Sequence, residues 1–514
     1  EICACLVGSE MCIRDRGCLF RMGIAHREER SDFIDIQQKA CGSVTFLVRG
    51  TLFSLPGWST GRLYNIYFKG SRMERTYQAY GLTNYRNIRQ ITRLNKEELQ
   101  AIEVVGRVLP FKTNNYVVEE LIDWERIDTD PIFTLNFPRR EMLSKKHFSV
   151  VSKLLAQEVG KEEFIAAVNA VRLELNPNPA GQDHNVPMLG DIRLKGIQHK
   201  YRETVLFFPA QGQTCHAYCS FCFRWPQFSG MNELKFAMKE TDLLLKYLRL
   251  HPQVTDVLFT GGDPMTMSAS LLSAYIEPLL QPGLEHIRTI RIGSKALAYW
   301  PYRFISDVDA AEVLRLFEKV TATGKNLSFQ AHFNHPVELS TAAVCEAIRR
   351  IRNTGAQIRT QSPLLRHIND SPEIWREMWR KQVDLSCIPY YMFVARDTGA
   401  KHYFEIPLEK CWDIFRKAYS QVSGICRTVR GPSMSDEPGK IQLLGVAEIK
   451  GEKVFVLRFI QGRNPKWVDM PFFAAYDPKA TWFSELRPAF GKDYFFFEHE
   501  FPTRPMYGDG FLFE

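Results

Sequence analysis

Between residues 203 and 424 the chain repeats one supersecondary unit six times without repeating its residues. Short runs rich in aromatic and β-branched residues, at 203–210, 255–260, 287–293, 326–333, 356–361 and 387–394, have the composition of buried strands. Helix-like stretches at 239–250, 268–280, 309–323, 340–353, 372–383 and 408–422 lie between them or follow the last. The boundaries carry matching signals. Ser268 and Ser340 are placed as N-caps, and Gly324, Gly355 and Gly424 stand just past C-termini. A parallel neighbour is reached only by crossing back over the sheet, so this alternation forces parallel strands. Six units predict an α/β fold, a partial (β/α)6 barrel over residues 186–424, with its chemistry at the C-terminal strand ends.

The flanks are of a different kind. Residues 73–185 are expected to form a helical N-terminal region, in which Asn95-Lys-Glu-Glu-Leu-Gln-Ala-Ile-Glu opens an amphipathic helix. The Pro-rich stretch 176–188 is expected to link it to the barrel. Residues 425–514 read as a loop-rich C-terminal extension with one strand, Val454-Phe-Val-Leu-Arg-Phe. Upstream, Cys3-Ala-Cys-Leu-Val-Gly-Ser-Glu-Met-Cys-Ile-Arg-Asp-Arg16 lacks the order of a secretory signal and resembles translated adapter sequence. Residues 17–72 show no sustained helix or strand period. The expectation is that translation starts near Met73 and that residues 1–72 are not native.

Composition removes several classes. With 45% hydrophobic and 24% charged residues the chain is globular, and no apolar run reaches the ~18–20 residues of a membrane-spanning helix. The formal net charge of +8 is scattered, without the basic block of a nucleic-acid binder. Five of the 12 cysteines lie in the upstream segment, and three of the other seven crowd into residues 215–222. Clustered cysteines without a signal peptide point to a metal-holding protein of a reducing compartment, the cytoplasm.

That crowd is Cys215-His-Ala-Tyr-Cys219-Ser-Phe221-Cys222, directly after the first strand. Three thiolates on one short loop grip three corners of a [4Fe–4S] cluster and leave the fourth iron open. A structural zinc ion would want four ligands, and His216, adjacent to Cys215, is poorly placed to be the fourth. The second strand ends in Thr260-Gly261-Gly262-Asp263-Pro264, a turn whose glycines permit close backbone approach.

The Cys-x3-Cys-x-aromatic-Cys spacing combined with this glycine turn resembles the radical S-adenosylmethionine (SAM) superfamily. The resemblance implies that the open iron chelates SAM, with Phe221, Gly261, Gly262, Asp263 and Pro264 around the cofactor. Within it, residues 185–445 are similar to the lysine 2,3-aminomutase family. The similarity is carried by Arg291-Ile-Gly-Ser294, His332-Phe-Asn-His-Pro336, Gln361-Ser-Pro-Leu-Leu-Arg366, Ile368-Asn-Asp370 and Pro389-Tyr-Tyr391. Family members couple the cluster to pyridoxal phosphate (PLP) and shift an amino group between neighbouring carbons of an amino acid.

The resemblance places the PLP lysine at Lys440, in Ser435-Asp-Glu-Pro-Gly-Lys440, where only Gly439 is left of the family's glycine run. Lys200 and Arg202 become candidate phosphate partners. Arg224 matches the arginine that pairs with the substrate carboxylate, a task suited to a planar bidentate donor. The two family aspartates that hold the lysine side chain fall on Arg396 and Ser433. An arginine repels an ammonium, so the expected substrate is an amino acid other than lysine, with a carboxylate-bearing one favoured. Lysine aminomutation with Asp397 turned inward is the rival. A radical SAM enzyme without PLP and a non-catalytic cluster protein are the alternatives from other classes. The resemblance also implies a low-potential electron donor such as flavodoxin or ferredoxin, and association into dimers or tetramers between which the sequence does not choose. The cysteine-rich zinc site in the tail of some members is not expected here, because no cysteine follows Cys426.

Overall fold

The six apolar runs form six parallel strands, each crossed back by a helix. The computed structural model describes residues 74–176, 185–231 and 234–500, together with the backbone of six strand segments upstream. The strands are β1 Thr204–Phe207, β2 Asp256–Phe259, β3 Thr289–Ser294, β4 Asn326–His332, β5 Gln357–Leu364 and β6 Ile388–Val394. The helices are α1 Thr241–Leu250, α2 Ala269–Ile276, α3 Ala310–Ala322, α4 Ala342–Asn353, α5 Pro372–Asp384 and α6 Leu408–Ser420. Their order in the sheet is the chain order, so the fold is the partial α/β barrel that the alternation predicts.

Register sorts each strand into two faces. Phe207, Phe259, Ile292, Phe329 and Ile358 are successive partners across five strands, and all are buried. One residue earlier, Leu206, Leu258 and Arg291 are partners and line an internal cavity. Helices cover the first layer with residues three and four apart: Val313, Leu316, Phe317 and Val320 on α3, and Trp375, Met378 and Trp379 on α5. Each such side chain contributes about 1.5–3 kcal/mol on burial.

Two boundaries differ from expectation. The cap of α4 is Thr341, whose hydroxyl accepts from the Val344 N–H, while Ser340 closes the preceding turn by donating to the Pro336 carbonyl. Gly424 begins a short 3-10 turn, because α6 has already ended at Ser420. Ser268 caps α2, and Gly324 and Gly355 end α3 and α4 with φ near +80°.

The C-terminal extension corrects the sequence reading more strongly. Its described residues carry four strands, β7 Arg430–Ser435, β8 Gly439–Ile449, β9 Glu452–Gly462 and β10 Pro471–Ala475. β7 pairs in parallel with β6, and β8, β9 and β10 extend the same sheet as antiparallel neighbours. Gly, Pro and Ser inside β7, and register shifts beside Gly445 in β8, break the period-2 alternation that marks a strand. Phe495 and Phe497 are buried in the aromatic core of this layer against Phe459 and Phe472.

The N-terminal region is helical, as expected. Its helix Lys96–Val108 begins at Asn95 with a reciprocal capping box to Glu98. Helices Lys145–Ala156 and Lys161–Glu174 pack with it, and a small hairpin pairs Ala79–Gly81 with Lys112–Asn114. Most of the expected linker, residues 177–184, lies outside the described residues. Residues Glu1–Met73 are a separate unit with two three-stranded antiparallel sheets, one spanning Cys3–Val7, Glu10–Asp15 and Cys18–Gly23, the other Ile34–Lys39, Ser43–Val48 and Thr51–Pro56. The sequence reading of 17–72 as unpatterned is corrected by these strands. Among the described residues, no helix is long and apolar enough to cross a membrane.

A buried polar brace ties the ends of β3, β4 and β5 together. The Lys295 ammonium donates to Glu338 Oε1 (2.6 Å) and Asn334 Oδ1 (2.8 Å), and the Asn334 amide reaches Ser362 Oγ (2.9 Å). The Asn369 amide donates to the carbonyls of Asn334 and Pro363, both at 3.0 Å. Glu338 is fully buried and Lys295 nearly so. Removing one member strands the other charge, at a cost of about 3–5 kcal/mol, whereas removing both costs far less. Glu338→Leu is therefore expected to lower the chemical-denaturation midpoint sharply, and Lys295→Met/Glu338→Leu to recover most of it.

Candidate active site

The loop after β1 runs through a 3-10 turn, Ala210–Gly212, to Cys215, and is held against the turn that ends β2. Gly261 has φ +141°, and a Cβ there would sit 2.2 Å from Gln213 Nε2. A Cβ on Gly262 would sit 2.4 Å from the Thr214 carbonyl oxygen. Gly262 is thus required by the approach of the cysteine-loop backbone, and Gly261 by its left-handed conformation. Asp263 locks that approach: its N–H donates to the carbonyls of Thr214 (2.6 Å) and Gly212 (3.1 Å). Its carboxylate accepts from the N–H groups of Met265 and Lys295, both at 2.9 Å, and burial pushes its pKa up to about 6.

Cys215, Cys219 and Cys222 all line one cavity of about 350 Å³, together with Phe221, Gly261, Gly262 and Asp263. The three thiols are free, and among the described residues they do not converge on a single-ion site. Three cysteine thiolates on one short loop are the donors that an iron–sulfur cubane takes, one on each of three irons. Burial pushes the Cys222 thiol up to about 12, aided by the neighbouring Cys219 charge, and raises Cys215 well above its ordinary value. Thiols so placed resist ionisation until positive charge arrives, so the donor set fits an iron–sulfur cluster. Pro264 is buried behind the turn and is not part of the cavity wall.

The N-terminal region grips the same loop, which no spacing in the sequence announces. Lys112 Nζ donates to the Cys215 carbonyl at 2.7 Å. Burial lowers the Lys112 pKa, and Cys215 opposes that shift. The Tyr77 hydroxyl (2.6 Å) and the Asn114 amide (3.2 Å) both donate to the His216 carbonyl. The Ser220 hydroxyl donates to the Thr134 carbonyl (2.6 Å), and the Tyr299 hydroxyl lies 3.5 Å from Cys219 Sγ.

The same cavity is lined by cations. Lys440 is the second residue of β8, and its ammonium lies 4.1 Å from the Tyr391 ring centroid and 5.6 Å from that of Phe393. It has no ion-pair partner among the described residues. Burial, with Arg291 and Arg430 nearby, lowers its pKa to about 7. Gly439 is the one glycine before it because a Cβ there would lie 2.3 Å from the Gln461 carbonyl oxygen. The Arg224 guanidinium stands 4.3 Å from the Phe208 ring centroid with Nη1 buried and unpartnered. Arg396 donates from Nη1 to the Ser435 carbonyl (2.5 Å), and its buried Nε makes no hydrogen bond but pairs with Asp397 Oδ1 at 3.9 Å. Ser433, fully buried, lines the cavity; Asp397 does not.

Two residues stand outside this wall. Lys200 donates to the Asp436 carbonyl and lies near Arg463, Arg396 and Lys440, whose charges add to burial in lowering its pKa. Arg202 is exposed on the turn before β1, with Glu203 Oε1 at 3.7 Å.

The chain is similar to proteins of known name. A protein of Aquifex aeolicus (strain VF5) named "Putative L-lysine 2,3-aminomutase" is 30% identical over 399 residues, 78% of this chain and 93% of the relative. The L-lysine 2,3-aminomutase of Clostridium subterminale is 29% identical over 254 residues, 49% of this chain and 58% of the relative. Among solved structures, a radical SAM methyltransferase from Sphaerobacter thermophilus aligns over 56% of this chain and 94% of its own, with 13% identity and a TM-score of 0.34. No family model matches.

The close approach of the two loops makes a direct test. Gly262→Ala is expected to displace residues 213–215 and to cut the iron and sulfide bound after anaerobic reconstitution several-fold. Gly324→Ala, at a helix end with open space around it, is expected to cost about 1 kcal/mol of stability and leave the iron content unchanged.

Proposed function

The chain belongs to the lysine 2,3-aminomutase family of radical SAM enzymes, and from that premise we propose that it is a PLP-dependent 2,3-aminomutase whose substrate is an amino acid other than lysine. Membership implies a [4Fe–4S] cluster and SAM. When bound, the cluster and SAM supply a 5′-deoxyadenosyl radical for hydrogen abstraction, and PLP supplies the covalent carrier of the migrating amino group.

The observation that carries this reading is that Lys440 shares one cavity with the three thiols. A lysine that captures a carbonyl cofactor needs a neutral amine at working pH, which burial beside other cations provides. Lys440 meets that requirement, with its pKa near 7 and an aromatic face holding the amine in place. Lys200 stands near Lys440, beside Arg463 and Arg396 at a place a phosphate would occupy, whereas Arg202 is exposed. Arg224 offers its unpartnered Nη1 to a substrate carboxylate.

Arg396 supports a substrate other than lysine. It lines the cavity where the resemblance expects an acid, and Asp397 beside it is absent from the wall. A second carboxylate on the substrate would share the Arg396 guanidinium, near Arg224, with Asp397, whose Oδ1 lies 3.9 Å from Nε. A guanidinium at this place repels an ammonium and favours an acid.

PLP added to the protein and fixed with borohydride is expected on the peptide containing Lys440, and to be lost in Lys440→Ala. The amine is an ammonium below its pKa and a nucleophile above it, so capture is expected to rise with pH through about 7 instead of about 10. Unchanged labelling of Lys440→Ala overturns the PLP assignment. For the substrate, reduced enzyme given SAM, PLP and a panel of amino acids is expected to form a β-amino acid from glutamate or another acidic member at least tenfold faster than from lysine. Arg396→Asp is expected to narrow that preference. Efficient turnover of lysine by the wild-type enzyme overturns the substrate assignment and leaves the aminomutase reading standing.

A further inference from the structure

We propose that Lys112, contributed by the N-terminal region, sets the reduction potential of the cluster held by Cys215, Cys219 and Cys222. Its ammonium is anchored 2.7 Å from the Cys215 carbonyl and 3.5 Å from Thr214 Oγ1, on the segment that carries the first ligand. The rings of Tyr218 and Tyr77 flank it, with centroids at 5.7 Å and 6.0 Å. Among the described residues no carboxylate pairs with it, so its charge acts on the cysteine loop uncompensated. The other lysine beside the thiols, Lys295, differs in this respect, because Glu338 neutralises it at 2.6 Å.

The surroundings keep Lys112 from swinging away. Its own carbonyl accepts from the Tyr218 N–H at 2.7 Å, so backbone and side chain both clasp the loop. Asn114, two residues on in the same strand, bridges the carbonyls of His216 and Tyr299. The cation is therefore a fixed charge rather than a solvated one.

The electron balance gives the direction. A core of charge 2+ on three thiolates carries a net charge of −1, and one electron takes it to −2, with no proton moved and no bond broken. The electron comes from a low-potential one-electron donor, dithionite in the test. A fixed positive charge in a partly buried setting stabilises the −2 state more than the −1 state, so Lys112 raises the potential and eases reduction. This rests on the cluster that family membership implies, and not on the PLP or substrate assignments.

The test is an anaerobic potentiometric titration of the reconstituted full chain, following the EPR signal of the reduced cluster, with iron and sulfide content measured alongside. Lys112→Gln keeps a donor for the Cys215 carbonyl and removes the charge. It is expected to shift the oxidised-to-reduced ratio at fixed potential about tenfold toward oxidised, which for one electron is about 59 mV. Lys112→Met is expected to match it, and Lys112→Arg to stay near wild type. A wild-type potential in Lys112→Gln overturns the proposal, as does Lys112→Arg falling as low as Lys112→Gln. Loss of the cluster from Lys112→Gln while Lys112→Arg retains it also overturns it, because Lys112 would then assemble the loop without setting its potential.

Discussion

The structure turns on how closely two strand-end turns approach one another. The cysteine loop after β1 and the Gly261–Gly262–Asp263 turn after β2 lie so near that Gly262 has no room for a Cβ. The Asp263 N–H fastens them by hydrogen bonds to Thr214 and Gly212. Three thiols hold one cluster best when their loop has a single conformation, and fixing a loop costs about 1–2 kcal/mol of conformational entropy per residue. The strand order of the barrel is what brings a second turn alongside. Asp263 then extends the lock to β3 by accepting from the Lys295 N–H, and Lys295 in turn ties β3 to β4 through Glu338.

The same geometry explains why the barrel interior is not a core. Along most strands one face is apolar and covered by helices, with Thr360 and Ser362 the polar exceptions in β5, and the other looks into the cavity. From β3 onward the inward positions include Arg291, Gln330, His332 and Gln361, which a hydrophobic core would not accept. Several residues of the family-like motifs are braces for this polar interior. Asn334 and Asn369 hydrogen-bond across β4 and β5, and Arg291 is held by Asp256 through Nε (2.8 Å) and Nη2 (2.6 Å).

Much of this was legible in the sequence, and the remainder was not for definable reasons. The six strands and six helices declare themselves because each carries its own period and its own punctuation, as the expected 326–333 against Asn326–His332 illustrates. The cysteine loop is legible because its ligands are close in sequence, so spacing alone fixes what they can hold. β7 and β8 were missed because Gly, Pro and bulges serve the sheet's curvature at the expense of pattern. Lys440 could be counted to, but its strand position and buried amine depend on β9 packing behind it. The bond from Lys112 to Cys215 joins residues 103 apart, and a contact of that range leaves no local trace.

The charge inside the cavity completes the argument about occupancy. Of its basic groups, Lys295 and Arg291 are neutralised by Glu338 and Asp256, so they belong to the scaffold. Arg224 and Lys440 have no such partner among the described residues, and Arg396 is paired with Asp397 only at 3.9 Å. Burying unpaired cations costs free energy, and a fold keeps them only where an occupant repays the cost. The thiols of the same cavity present the converse case, anions in waiting that burial suppresses until metal charge arrives. The two sets of groups therefore differ in what they favour: the thiols the metal cluster that family membership implies, and the cations, on the proposed reading, an anionic substrate.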